Sequence, residues 1–273
     1  MKHSVALGFT ALSYAVTVAS ARTFAIVNSC TYTIWPAFFN TPEAGSAIPS
    51  QPTGWQQNPG ETVNFSVPDG WSGQIWVGIQ IRRMLAAVMT ALLTHFACQG
   101  RRDCDFSTSS GPDSCLGGGC DGGLECTGTG AAPVSVAEFA LAANNLDIYD
   151  VSLVNGFNIP VKITNNKGCA TASCPVDLTP NCPAELAGPF DPSGDAVGCK
   201  SACAAGLGDP ADSPNCCTGT HNTPATCPPS GVEYYSYFKG NCPNAYAYVY
   251  DTSSVSLPCT SDLQADYTIT FCP

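Results

Sequence analysis

Apolar positions along the chain fall in short stretches rich in β-branched and aromatic residues, at 23–27, 31–37, 63–67, 148–153, 160–164, 246–251 and 267–271. Stretches of this length and composition are predicted strands, because branched and aromatic side chains fit a pleated, half-buried surface. They come from both ends and from the middle of the chain, which suggests an antiparallel sandwich. Two strand-poor stretches rich in Cys and Gly interrupt them, at 101–130 and 176–242. The first reads as a small disulfide loop domain. The second is expected to hold short helices, at 183–186 and 200–205, fixed by bridges. The sandwich core is therefore assigned to 22–76, 131–175 and 243–273.

Two longer apolar runs break this pattern. The run at 5–18 follows Lys2 and His3 and precedes Ala19-Ser20-Ala21. A charged start, a short apolar region and a small-x-small site read as a secretory signal, 1–21, cut before Arg22. A membrane anchor would be longer and would carry a stop-transfer pattern. The run at 84–96 is the one long apolar run of the mature chain free of Gly and Pro. As protein it reads as a lone helix, too short to span a bilayer, set among strand-like residues at 63–67 and 74–76. A different origin is expected for 77–99, as a translated intron. Val77 is encoded by GTN, a splice donor; Gln99 fits CAG, an acceptor; Leu93-Thr94 fits a branch point. The 23 codons preserve the frame and suit a short fungal intron. Joining Trp76 to Gly100 also removes Cys98.

Composition narrows the classes of function. Only 11% of residues are charged and the formal net charge is −11, which excludes a nucleic-acid or anionic-membrane surface. A hydrophobic content of 44% can fill a core, while 26 Gly and 22 Pro oppose long helices without reaching the fraction that marks disorder. Export places the 17 cysteines in an oxidising compartment, where even sets pair, and removing Cys98 makes the set even. Spacing alone does not select a pairing. Adjacent Cys216 and Cys217 suit two separate loops, and the rival use of 203–227, a zinc site, is disfavoured by export. Asn64-Phe65-Ser66 is the usable N-glycosylation sequon, since Asn40 and Asn222 are each followed by Thr and Pro. His3, His95 and His221 fall in the signal, the insert and a Cys-rich loop, so no histidine triad, metal centre or cofactor is expected.

With the join made, the order of several stretches carries a resemblance. They include Phe24-Ala-Ile-Val-Asn-Ser-Cys30, Gly100-Arg-Arg-Asp-Cys104, Cys120-Asp-Gly-Gly-Leu-Glu-Cys126 and Ala137-Glu-Phe-Ala-Leu141. Leu146-Asp-Ile-Tyr-Asp150-Val-Ser-Leu-Val-Asn155-Gly-Phe is the most specific, and Tyr237-Phe-Lys-Gly-Asn-Cys242 and Thr270-Phe-Cys-Pro273 complete the set. The mature chain thereby resembles the thaumatin-like (osmotin) family, here read as a fungal member. Cys115-Leu-Gly-Gly-Gly-Cys120 departs from that family's Cys-x-Thr-Gly-Asp-Cys. The resemblance implies a mainly β fold, a thaumatin-like antiparallel β-sandwich with two disulfide-rich loop domains. It also implies the pairs Cys30–Cys272, Cys104–Cys115, Cys120–Cys126, Cys169–Cys259, Cys174–Cys242, Cys182–Cys199, Cys203–Cys216 and Cys217–Cys227.

For function, the resemblance implies a secreted protein of the extracellular space or cell wall that binds, and weakly hydrolyses, β-1,3-glucan or another cell-wall polysaccharide. The alternative is a non-catalytic, defence-type protein that binds walls or perturbs membranes. A monomer is expected, with no nucleic-acid partner and no stable membrane insertion. In the family an acidic cleft is lined by one Arg, one Glu and three Asp. Position by position, these fall on Gln74 for the Arg, Glu138 for the Glu, and Asp150, Asn155 and Asp251 for the Asp. Glycoside hydrolysis needs one carboxylic acid to protonate the leaving oxygen and one carboxylate to activate water or attack. Glu138, beside Phe139, is the expected acid, because burial would keep it protonated. Asp150 is the expected base, and Asp251 binds sugar hydroxyls or shares that role. Asp251 also ends a predicted strand, and for both Asp residues the rival reading is the capping of a turn. Gln74 and Asn155 are expected to bind substrate. Tyr237 and Phe238, grouped with Tyr234 and Tyr235, are expected either to stack on sugar faces or to form a buried aromatic ladder.

Overall fold

A computed structural model describes residues 21–40, 48–71, 96–99, 102–107, 109–251 and 259–273. Among them are strands β1 (Ala21–Asn28), β2 (Ala37–Phe39), β3 (Thr62–Pro68), β4 (Phe96–Gln99), β5 (Arg102–Cys104), β6 (Cys115–Gly117), β7 (Val136–Ala143) and β8 (Leu146–Ser152). β9 (Val161–Asn165), β10 (Ala172–Cys174), β11 (Cys259–Thr260) and β12 (Tyr267–Phe271) follow, and one α-helix, α1, spans Tyr235–Asn241. The strands form two five-stranded sheets, in the orders β10-β9-β12-β1-β3 and β11-β8-β7-β4-β2, and a β5-β6 ribbon. The fold is mainly β. Pairing is antiparallel except between β1 and β12, which run parallel, with Phe24 opposite Tyr267 and Asn28 opposite Phe271.

The period-two geometry of strands decides what each sheet presents to the other. In β1 the even residues Phe24 and Ile26 are buried, and in β12 so are Tyr267, Ile269 and Phe271. They meet Phe139 of β7 and Tyr149 of β8. Ring centroids stand 4.7 Å apart for Phe24–Phe139, 5.2 Å for Phe139–Tyr267 and 5.2 Å for Tyr149–Tyr267. Tilted and edge-on contacts of this kind stabilise beyond the area they bury. Eight disulfides, among the described residues, join the same sixteen cysteines in the same pairs that the resemblance implies.

Several sequence expectations are corrected. At 31–37 there is no continuous strand. Ile34 makes an isolated bridge to Gln57, and β2 begins only at Ala37, after Pro36, which lacks the N–H a ladder needs. At 246–251 the chain turns instead of extending: Asp251 Oδ2 accepts the Ala247 N–H at 2.9 Å. The helices expected at 183–186 and 200–205 are hydrogen-bonded turns, and the helix forms at Tyr235–Asn241. Strand β7 was not among the predicted strands. Its sequence, VAEFALAA, is buried on both faces over its first six residues and so shows no clean alternation. Residues 1–20 and 77–95, which include most of the two apolar runs, lie outside the described residues. The end of the second run is not helical: Phe96–Gln99 is β4, paired with β2 and β7.

Candidate functional site

β7 and β8 pair antiparallel, with Glu138 opposite Asp150 and Phe139 opposite Tyr149. Because Phe139 and Tyr149 point into the sandwich, Glu138 and Asp150 point the other way, onto the outer face of the second sheet. Ser152, two residues beyond Asp150, shares that face. It bridges Tyr246, while the Tyr246 N–H donates to Val151 O at 2.8 Å and Tyr246 O accepts the Leu153 N–H at 2.7 Å. The segment carrying Asp251 therefore runs along the end of β8.

Glu138 is 6% exposed and Asp150 4%. Their carboxyls hydrogen-bond one another, and Ser152 hydrogen-bonds Glu138. Burial raises the Glu138 carboxyl well above the ordinary carboxylate range, and the charge and hydrogen bond of Asp150 push it further up. Burial also lifts Asp150, to about 7, with the hydrogen bond from Glu138 opposing the rise. Such a pair is most stable holding a proton between its members. Among the described residues no other group donates a hydrogen bond to the buried Glu138 Oε1 or Asp150 Oδ1.

Asp251 is set differently. It accepts the Tyr235 hydroxyl at 3.2 Å and the Ala247 N–H at 2.9 Å, and pairs with Lys239 Nζ at 3.1 Å. Its carboxylate thus joins helix α1 to the turn beside β8. Lys239 and Tyr235 were not foreseen as its partners, because nothing in sequence spacing brings residues of α1 to Asp251. Ser152 was also missed, although its two-residue offset from Asp150 places it on the same strand face.

Among the other expected site residues, Gln74 lies outside the described residues and Asn155 is half-buried in the turn after β8. Phe238 takes the buried of its two expected roles and not the substrate-binding one: at 2% exposure it belongs to the main core, 5.3 Å from the Tyr237 ring, and presents no face for stacking. Tyr237 is partly buried against that core and donates its hydroxyl to Leu178 O at 2.7 Å. Asn64 is exposed on β3, at the edge of its sheet. Among the described residues no group of three or more His, Cys, Asp or Glu could hold a metal ion, and no helix is long and apolar enough to cross a membrane.

Comparison with known proteins agrees with this architecture. Residues 28–84 and 95–273 match the profile of the Thaumatin family. The pathogenesis-related thaumatin-like protein 3.5 of Cryptomeria japonica is 40% identical over 260 residues, covering 93% of this chain and 91% of that protein. Thaumatin-like protein 1 of Pyrus pyrifolia is 37% identical over 256 residues, covering 92% and 90%. Among solved structures, a thaumatin-like xylanase inhibitor aligns with 92% of this chain and 99% of its own, at 18% identity and a TM-score of 0.40. By the extent of the profile match and the identity to these relatives, the chain belongs to the thaumatin family.

Proposed function

We propose that this protein is secreted and binds β-1,3-glucan, or a related cell-wall polysaccharide, on the outer face of the β7–β8 pair, and that it does so without hydrolysing it. One observation carries the binding: among the described residues, and apart from the proton the pair shares, no donor reaches the buried Glu138 Oε1 and Asp150 Oδ1. Native folds satisfy nearly all such groups, so a pair left open suits a ligand rich in hydroxyl donors. The relatives named pathogenesis-related and thaumatin-like support a defence-type role, and eight disulfides suit an oxidising exterior.

The contact between the carboxyls argues against turnover. Retaining glycosidases hold their two carboxyls about 5 Å apart and inverting ones roughly 6.5–9.5 Å apart. Glu138 and Asp150, hydrogen-bonded to each other, leave no room for a sugar or a water between them. The same reading keeps the core at 22–76, 131–175 and 243–273, the loop domains at 101–130 and 176–242, and 77–99 as translated intron. The test is retention on insoluble β-1,3-glucan together with an assay of reducing ends released from the soluble polymer. Retention with no release above the blank is expected. Release that disappears in Glu138→Gln would restore the acid–base role, and absence of retention would remove the binding role.

A further inference from the structure

The buried charged side chains among the described residues are Arg22, Glu138, Asp147, Asp150 and Asp251. Asp147 has Arg22 at 3.0 Å, and Asp251 has Lys239 at 3.1 Å. Glu138 and Asp150 have no cation among the described residues, only each other and Ser152. Among the described residues each of the other buried carboxylates has a cation and this pair has none, which makes it the site most open to a cationic ligand.

Three kinds of group could complete it. A sugar hydroxyl satisfies one oxygen and leaves the charge unbalanced. A calcium ion takes about six to eight oxygens, and among the described residues this site has two acids with no third acid, His or Cys grouped with them. An ammonium is compact, positively charged and carries three donors, which suits two open acceptors on facing strands together with their charge. We infer that the Glu138–Asp150 site prefers an amino sugar with a free ammonium group over the corresponding neutral or N-acetylated sugar. The inference rests on the proposed polysaccharide-binding role and specifies its ligand class.

The proton balance follows. The buried pair holds a proton in the free protein. The arriving ammonium keeps its own protons and replaces the shared one, which leaves to solvent as the complex forms.

The test is calorimetric titration of the protein with a β-1,4-linked glucosamine tetramer and with its fully N-acetylated counterpart, which share linkage and length and differ in charge. Binding of the amine about tenfold tighter or more is expected, the size of one charge-assisted contact. Proton release should appear as a dependence of the heat on buffer ionisation. Glu138→Gln should bring the ratio close to one, and Asp150→Asn makes the same comparison if the first variant does not fold. Asp262→Asn, an equal charge change at an exposed position, should leave the ratio intact and so excludes general attraction to an acidic protein. A ratio near one in the unaltered protein overturns the inference, as does a ratio that survives both site substitutions. A neutral β-1,3-linked glucose tetramer is titrated alongside. If it binds while the ratio is one, only the amino-sugar preference fails; if none of the three binds, the polysaccharide role fails with it.

Discussion

At the scale of single residues, two buried charge arrangements behave in opposite ways. Arg22 is 1% exposed on the inner face of β1. It grips Asp147 of β8 with two 3.0 Å bonds, donates to Gln264 Oε1 at 2.6 Å, and also pairs with Asp69. One side chain thus ties both sheets and the last loop together. Removing it strands Asp147 in the core, and a broken buried pair costs about 3–5 kcal/mol. Arg22→Met should lose about that much in urea unfolding, with part regained in Arg22→Met/Asp147→Asn; an unchanged midpoint would mean that the pair contributes nothing. The Glu138–Asp150 pair works through protons. Asp150 titrates near 7 in the fold and near 4 when unfolded, so between those values the folded state binds more protons and stability falls as pH rises. The slope is at most about 1.4 kcal/mol per pH unit for each proton. Urea midpoints at pH 4.5, 6 and 7.5 should decline in the unaltered protein and decline less steeply in Asp150→Asn, where burial still raises Glu138, and parallel declines would refute the assignment. Glu138 and Asp150 were legible in sequence because resemblance fixes their positions. That they touch was not, since cross-strand register is set by a turn and a bulge between Ala140 and Ala143 that periodicity does not reveal.

At the scale of elements, strands with mixed faces were readable and those buried throughout were not. β12 matches its predicted span because Tyr267, Ile269 and Phe271 alternate with exposed-side residues, whereas Ala-rich β7 carries no such signal. The loop Cys115–Cys120 departs from the family pattern, and the fold supplies a reason. A Cβ on Gly119 would stand 1.9 Å from Pro112 O, so no side chain fits there, while one on Gly168 would meet nothing within 4 Å. Gly168 has φ +75°, so Gly168→Ala should cost roughly 1–2 kcal/mol of left-handed backbone strain alone. Gly119→Ala must displace backbone and should cost about 3 kcal/mol or more; equal thermal shifts would contradict this. The same scale bears on 77–99. The eight bridges leave Cys98 as the seventeenth cysteine, so the full chain should titrate one free thiol when denatured without reductant. The chain joined at Trp76–Gly100 should titrate none. There Gly73–Trp76 would precede Gly100 as Phe96–Gln99 does here, which would fill the slot between β2 and β7 without shifting register. A joined chain that fails to fold while the full chain is secreted would reject the intron reading.

At the scale of the molecule, the question is what holds together a chain whose first and last strands are neighbours. β1 and β12 pair along their length, and Cys30–Cys272 seals them across 242 residues, whereas Cys120–Cys126 closes only six. Loop-closure entropy rises with the logarithm of length, which assigns about 5 kcal/mol to the first bridge and about 2 kcal/mol to the second. The other bridges persist in the unfolded chain and shorten the path between Cys30 and Cys272. Cys169–Cys259 alone bypasses 90 residues, but the logarithm makes this worth only a few tenths of a kcal/mol. Packing separates the two cases little: Cys30, Cys120 and Cys126 are buried, and Cys272 is partly buried against the main core. Guanidinium unfolding without reductant should therefore find Cys30→Ala/Cys272→Ala less stable than Cys120→Ala/Cys126→Ala by about 2–3 kcal/mol. Equal losses would mean that local packing around each bridge, and not closure of the chain, sets its contribution, and that the β1–β12 pair needs no seal to bring the two ends together.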